Sequence, residues 1–271
     1  MIILDEPFAT VVWGDWRETL AVAKERGSVD ALIVDAPYSE RTHAGHDAGV
    51  SSVERMRHFA TLAGGQEKDR RYAVRKAARG DTHRRPLPYA AWSAGDVAAF
   101  VAGWAPAMRG WCVSLTDNVL APAWASACRE QGRYSFAPLP FVAPGSRVRL
   151  TGDGPSAWTC WLAVARPSSR EFASWGTLPG AYVLPGGHSE AQSWVGGKPL
   201  WLMLALVRDY SRRGDIVCDP CSGGGTTARA ARILGRRFIG GDCDEKAARE
   251  TARVVSAARE QIALPFAADG G

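Results

Sequence analysis

The sequence predicts an α/β fold, a mostly parallel sheet with helices on both faces, and three observations carry that expectation. Short apolar runs alternate with helical stretches, as a parallel sheet covered by helices requires. Several of the runs are apolar throughout, as strands buried on both faces must be. A glycine-rich turn, residues 219–227, lies between such a strand and a helix, where open parallel sheets bind ligands. The composition agrees. Of 271 residues, 46% are hydrophobic and 23% charged, which excludes a disordered, collagenous or low-complexity chain. No run approaches the roughly 18 apolar residues of a bilayer span. Asp5 and Glu6 stand where a signal peptide would carry bases. A reducing cytoplasm is therefore expected, and the six cysteines fit it as buried small hydrophobes rather than as a disulfide framework.

Taken in order, residues 10–13 read as a strand stopping at Gly14-Asp15, and 16–26 as a polar helix. Residues 31–34 are a short all-apolar run ending at Asp35-Ala36-Pro37-Tyr38. From 39 to 91 periodic structure disappears. Ser93 with Asp96 three residues on resembles a capping pair, and Val97, Phe100, Val101 and Trp104 come next on one helical stripe. Residues 111–115 form another buried strand. Asn118 is placed to cap the next helix, whose Leu120, Trp124, Ala127 and Cys128 share a face. Two strand-like runs, 134–142 and 157–165, are joined by a Pro/Gly/Arg loop at 144–155. A loop-rich region, 166–197, precedes a helix carrying Leu202, Met203, Leu206 and Tyr210. Residues 215–218 are a strand, followed by a helix to about 234, a strand at 237–240 and a final helix from 245 to 262. The tail after Leu264 is expected to fray.

Two strand ends are chemically marked. The first is Asp219-Pro220-Cys221-Ser222-Gly223-Gly224-Gly225-Thr226-Thr227, whose glycines let the backbone approach a ligand at a helix N-terminus. About 20 residues later a second acidic end, Asp242, stands where dinucleotide folds grip ribose hydroxyls. A phosphate-binding loop would need Lys before Thr226, and none is there. A nicotinamide fingerprint is permitted by the glycine spacing, but Asp219 would repel a pyrophosphate. A cationic ligand such as S-adenosylmethionine would be attracted. The second marked end is Asp35-Ala36-Pro37-Tyr38.

With these two motifs the sequence resembles the amino-methyltransferases of nucleic acids, whose signatures are [D/N/S]-P-P-[Y/F/W] and D-P-F-x-G-x-G-T-T. The catalytic motif comes first and the cofactor motif last, similar to the circularly permuted β class of DNA methyltransferases. Gly14-Asp15, the 110–167 block and Gly197-Lys198-Pro199-Leu200 add to the match. The resemblance implies a Rossmann-like, circularly permuted methyltransferase sheet, with 1–39 and 92–271 as the catalytic domain and 40–91 as a basic insertion. It implies S-adenosylmethionine as cofactor. Asp219, Pro220, Cys221, Ser222, Gly223, Gly225, Thr226 and Thr227 would surround its methionine part, with Lys198 nearby. Asp242 would take its ribose and Asp15 its adenine. Asp35 and the carbonyl of Ala36 would accept both N–H bonds of the target amine, Pro37 would hold the turn, and Tyr38 would stack on the extruded base. Asp as first catalytic letter resembles adenine-N6 enzymes, whereas Ser is usual for cytosine-N4. Ala36 and Cys221 depart from the family's Pro and Phe. Double-stranded DNA is the implied partner, in a prokaryotic or phage restriction–modification setting, and a homodimer is the family's tendency. The rival readings are cytosine-N4 methylation, a silent nucleic-acid-binding subunit, and an RNA or free-nucleotide target.

The net charge of +5 is local. Residues 40–86 hold 11 bases and 6 acids, which is the entire excess of the chain's 33 bases over 28 acids. A segment hanging beside the catalytic turn is placed to meet phosphates. Arg41, His43, His46, Arg70, Arg71, Arg75, Lys76, Arg84 and Arg85 are its candidate nucleic-acid contacts, and target recognition is expected to be shared with the short loop after residue 167. No metal site is expected: Cys218-x-x-Cys221 lacks a second pair, and His43-x-x-His46-Asp47 reads as DNA-facing. Most of the eleven tryptophans are expected in the core, with Trp175 and Trp194 as loop residues able to stack on bases.

Overall fold

The computed structural model describes residues 1–47, 89–144, 155, 157–185 and 197–259, with the backbone alone for 44–47. Arg70, Arg71, Arg75, Lys76, Arg84, Arg85, Trp194, the 145–154 loop and the chain after 259 lie outside the described residues, as does the side chain of His46.

In chain order the elements are β1 (Ile2–Glu6), β2 (Ala9–Trp13), α1 (Trp16–Glu25), β3 (Val29–Asp35), α2 (Glu40–Asp47), α3 (Ala94–Trp104), β4 (Met108–Thr116), α4 (Ala121–Glu130), β5 (Tyr134–Ser135), β6 (Leu139–Val142), β7 (Thr159–Arg166), α5 (Arg170–Ala173), β8 (Tyr182–Val183), α6 (Leu200–Tyr210), β9 (Ile216–Asp219), α7 (Thr226–Ile233), β10 (Arg237–Asp242) and α8 (Glu245–Ala257). Their strands form one sheet in the order β1-β2-β10-β9-β3-β4-β7-β6-β8, with β5 also paired to β7. The middle five, β2, β10, β9, β3 and β4, run parallel. Antiparallel partners flank them: β1 on β2, and β7 against β4, β5 and β6. The mostly parallel α/β sheet expected from the sequence is what forms.

The apolar runs explain the layering. Along β3, Ala31 and Ile33 point to one face and Leu32 and Val34 to the other, all fully buried. The first face packs on α6, α7 and α8, and the second on α1, α3 and α4. Trp104 and Trp124 lie in the second layer as the helical stripes predicted. Asp15 caps α1 by accepting from the Arg17 amide, and Ser93 with Asp96 makes a full capping box on α3.

Several expectations need correction. Asn118 does not cap α4, whose N-cap is Leu120 without a side-chain cap; Asp117 instead braces the turn before the helix, its Oδ1 accepting from the amides of Val119 and Leu120 at 3.0 and 2.9 Å. The 134–142 run breaks into β5 and β6. The region 39–91 begins with a helix, α2, whose Glu-Arg-Thr-His start has no apolar stripe to betray it. The 166–197 region contains α5 and β8. Trp175 stacks on Phe172, lies under Arg212 and donates its indole N–H to the Asp209 carbonyl. It is structural, beside the amino end of β9, and not at the ligand edge.

The parallel strands align five aspartates at their carboxyl ends. Asp35, Asp219 and Asp242 are the last residues of β3, β9 and β10, while Asp15 and Asp117 come within two residues of the ends of β2 and β4. Chain order reverses between β9 and β3: the chain runs from β9 towards β10 on one side and from β3 to β4 on the other. Ligands of open α/β sheets bind outside such a switch point. There stand Asp219 and Asp35.

Candidate active site

A cavity of about 320 Å³ opens at this edge, within the size range of small-molecule sites. Its walls include Asp35 and Pro37 from the first marked turn, and Asp219, Pro220, Cys221, Ser222, Gly223, Thr226 and Thr227 from the second. Asp15, Asp242 and Lys198 complete the set expected from the sequence. Two turns 184 positions apart thus share one cavity. Gly225 does not reach it. At φ +77° it serves as the N-cap of α7, and a Cβ there would meet the Thr251 Cα at 2.8 Å. Its glycine is required by the approach of α8, not by a ligand.

The glycine turn is braced from below. Asp219 is 1% exposed; its Oδ1 accepts from the Cys221 amide at 3.1 Å and its Oδ2 from the Thr227 hydroxyl at 2.6 Å. Burial pushes its pKa up to about 7, against those hydrogen bonds, with Asp35 and Asp242 adding repulsion. Asp242 accepts from the Gly223 amide and the Asp244 amide, both at 2.9 Å, and burial raises its pKa too. Thr251 donates towards the Ser222 hydroxyl and the Gly223 carbonyl, at 3.0 and 3.1 Å. The Cys221 thiol is held neutral by burial and then by Asp219 and Asp242.

At the other turn, Asp35 is met from two directions. The Tyr38 hydroxyl donates to Oδ1 at 3.2 Å, and the Lys198 ammonium pairs with Oδ2. Lys198, expected beside a methionine moiety, therefore reaches the Asp35–Tyr38 turn itself, with its ammonium 5.3 Å from the Tyr38 ring centroid. Tyr38 Oη is also 3.0 Å from the Cys160 Sγ, whose thiol donates to the Thr116 carbonyl at 3.4 Å. Burial raises the Tyr38 pKa well above its ordinary value, so the hydroxyl stays a donor. Ala36 is buried, and neither it nor Tyr38 lines the cavity. Asp117 clamps the chain as it leaves this turn. Its Oδ2 accepts from the Ser39 amide at 3.0 Å, from the Ser39 hydroxyl, and from Thr42 Oγ1 at 2.6 Å.

Of the candidate nucleic-acid residues within the described chain, Arg41 is exposed on α2, whereas His43 is 7% exposed and packs on Tyr89. His43 is thus not an open phosphate contact. As wall residues, sequence reasoning missed Trp16, Tyr89, Ala90, Trp92, Met203, Cys243, Asp244 and Ala247. The chain returns to the catalytic turn here, the Trp92 amide donating to the Tyr38 carbonyl at 3.0 Å. No signal in the sequence marks that return. Among the described residues no group of three His, Cys, Asp or Glu side chains is arranged to hold a metal ion, and no helix is long and apolar enough to cross a membrane.

Residues 173–253 match the N6_N4_Mtase family model, described as DNA methylase. That span contains the glycine turn, Lys198 and Asp242. The chain resembles the N6/N4 amino-methyltransferases. The type II methyltransferase M2.DpnII of Streptococcus pneumoniae is 36% identical over 61 residues, 21% of this chain and 23% of that protein. The match therefore spans about a quarter of that relative. The amino-methyltransferase likeness extends over most of the chain at the level of fold. M1.HpyAVI in complex with SAM superposes with a TM-score of 0.59 at 16% identity, covering 91% of this chain and 98% of that one. The cytosine-N4-specific PvuII DNA methyltransferase gives 0.54 at 13% identity, covering 90% and 85%. The Rossmann-like α/β fold expected from the strand–helix alternation and the motif order is borne out.

Proposed function

We propose that the protein is an S-adenosylmethionine-dependent DNA methyltransferase acting on the exocyclic N6 of adenine, in the permuted motif order of the β class. The observation that carries this reading is one cavity lined both by Asp35 and Pro37 and by Asp219–Gly224, Thr226 and Thr227 of the glycine turn. The lining fits the cofactor. Asp15, Asp35, Asp219, Asp242 and Asp244 face it against one described cation, Lys198. Such a wall disfavours a pyrophosphate and favours a ligand carrying sulfonium and ammonium charges. The bound cofactor supplies an electrophilic methyl group.

The rest belongs to the protein. Asp35 is acceptor-only when ionised, and Tyr38 and Lys198 fix its carboxylate plane. Together with the Ala36 carbonyl it would accept both N–H bonds of an exocyclic amine, drawing the nitrogen lone pair out of conjugation and aiming it across the cavity. The target base must leave the duplex to arrive there. Positioning and fixed dipoles are the main source of rate in such a transfer. Segment 40–91 is proposed to contact DNA through Arg41 and the bases beyond it.

The test is incubation with labelled S-adenosylmethionine and unmethylated duplex DNA, followed by mass spectrometry of nucleosides. N6-methyladenine that disappears in Asp35→Ala is the expected result. N4-methylcytosine would transfer the reading to the cytosine enzymes, whose PvuII member shares the fold at comparable similarity. Cofactor binding without transfer to DNA or RNA would leave a silent subunit.

A further inference from the structure

Tyr89 belongs to neither marked turn, yet it lines the cavity and its side chain is among the more exposed large groups there, at 42%. Burial is the main influence on its hydroxyl, followed by repulsion from Asp35 and Asp242, which line the same cavity, and from the thiols of Cys221 and Cys243. Together they push its pKa up to about 12. Tyr89 thus shares one cavity with Asp35 and Asp242.

The other aromatic groups near the site are already engaged. Tyr38 is tied by its hydroxyl to Asp35 and Cys160, has the Lys198 ammonium over its ring, and does not line the cavity. Trp16 and Trp92 do line it, but both pack on Phe100, and Trp92 stacks on Trp124 as well. Tyr89 has one ring neighbour among the described residues, His43 of α2, in a T-shaped pair with centroids 5.5 Å apart. His43 is 7% exposed, and its Nε2 has no hydrogen-bond partner among the described residues. Burial and this edge-on ring contact are the described features that hold the imidazole. Its described partner is Tyr89.

We propose that Tyr89 is a cofactor-contacting residue, its ring packing on the sulfonium–ribose part of S-adenosylmethionine while His43 positions that ring. The inference rests on the proposed function and adds a specific role to it. An aromatic face attracts a cation electrostatically. The contact therefore discriminates between the positively charged methyl donor and its uncharged thioether product, S-adenosylhomocysteine. A carboxylate-rich cavity already prefers the donor; Tyr89 adds a polarisable wall where the charge sits.

Calorimetric titration without DNA tests this, using S-adenosylmethionine and S-adenosylhomocysteine against wild type, Tyr89→Phe and Tyr89→Leu. Thermal melts serve as the control for folding. Tyr89→Leu is expected to lose about tenfold in affinity for the sulfonium ligand and only about twofold for the thioether. Tyr89→Phe keeps the ring and is expected to stay within about twofold of wild type on both. His43→Ala should give a smaller loss with the same bias. Unchanged affinities in Tyr89→Leu, or equal losses on both ligands, would overturn the inference while leaving the proposed function standing. A wild type that binds neither ligand would overturn both.

Discussion

Asp35 and Asp219 are both strand-end aspartates, but their surroundings give them different work. Asp35 is partly open to the cavity and meets Lys198 and Tyr38. Replacing it with alanine removes the acceptor for an incoming amine and leaves the glycine turn intact. We expect Asp35→Ala to lower methyl transfer by at least about a hundredfold, a typical cost for one preorganised catalytic group. Calorimetric affinity for S-adenosylhomocysteine should change far less. Asp219 is sealed beneath its turn, with a pKa raised from the ordinary carboxylate value of 3.8 to about 7. A carboxyl whose folded pKa lies above its unfolded value holds its proton longer in the folded state. Stability is then lost as pH rises between about 4 and 7, at a rate of up to about 1.4 kcal/mol per unit. In Asp219→Asn that slope should disappear, as read by urea unfolding at a series of pH values. The same ionisation strengthens attraction for a cation, so affinity for the sulfonium donor relative to its thioether product should rise between about pH 6 and 8. A flat ratio would contradict the assignment of a neutral-range pKa to this cavity. These residue identities were legible in the sequence as acids at strand ends. Their partners were not: Lys198 reaches Asp35 across 163 positions only through tertiary packing, and the hydrogen bond from Thr227 depends on how the glycine turn folds back on Asp219.

Among the elements, the legible ones were those whose local chemistry sufficed. β3, β4 and β9 announced themselves as apolar runs, and α3 by a capping box that the structure contains. α2 was invisible because nothing in its first turn is apolar; it is set in place by Asp117 across the β4–α4 loop. That clamp holds the chain leaving the catalytic turn. Burial alone would raise the Asp117 pKa, but the hydrogen bonds from Ser39, Thr42 and Leu120 outweigh it and lower the pKa overall. Its contribution is therefore present above the ordinary carboxylate range and lost as pH falls through the depressed value. Asp117→Ala should destabilise by about 1–3 kcal/mol, the cost of leaving several donors without an acceptor. It should also lower kcat with little change in cofactor affinity, because Ser39 is the residue directly after Tyr38. A second element-scale expectation concerns the start of α7. Gly225→Ala places a Cβ 2.8 Å from the Thr251 backbone at φ +77°. Strain of that kind costs about 1–3 kcal/mol before any clash is relieved, and a lowered denaturation midpoint would register it. The glycines of the turn were visible in the sequence, but not which of them lines the cavity and which faces α8.

Across the whole molecule, the alignment of Asp15, Asp242, Asp219, Asp35 and Asp117 along one edge depends on a strand order that no single stretch of sequence encodes. The acids were visible one at a time; their convergence came from packing β9 between β10 and β3. Charge is divided between two parts of the chain. The described cavity is lined by carboxylates, while residues 40–86 hold the chain's entire basic excess, 11 bases against 6 acids. A polyanion is repelled by the first and attracted by the second, so duplex and cofactor would be bound by electrostatics of opposite sign. Their responses to salt should differ accordingly. Each phosphate neutralised contributes about 0.9 to the slope of log K against log salt. Replacing Arg70, Arg71, Arg75 and Lys76 together with glutamine should therefore weaken DNA binding and flatten that slope, by up to about 3–4 if each meets a phosphate. Affinity for S-adenosylhomocysteine, which carries no net charge, should change little. Fluorescence anisotropy with a duplex at several salt concentrations gives the measurement, and an unchanged slope would mean that those four bases are solvated charges with no phosphate partner.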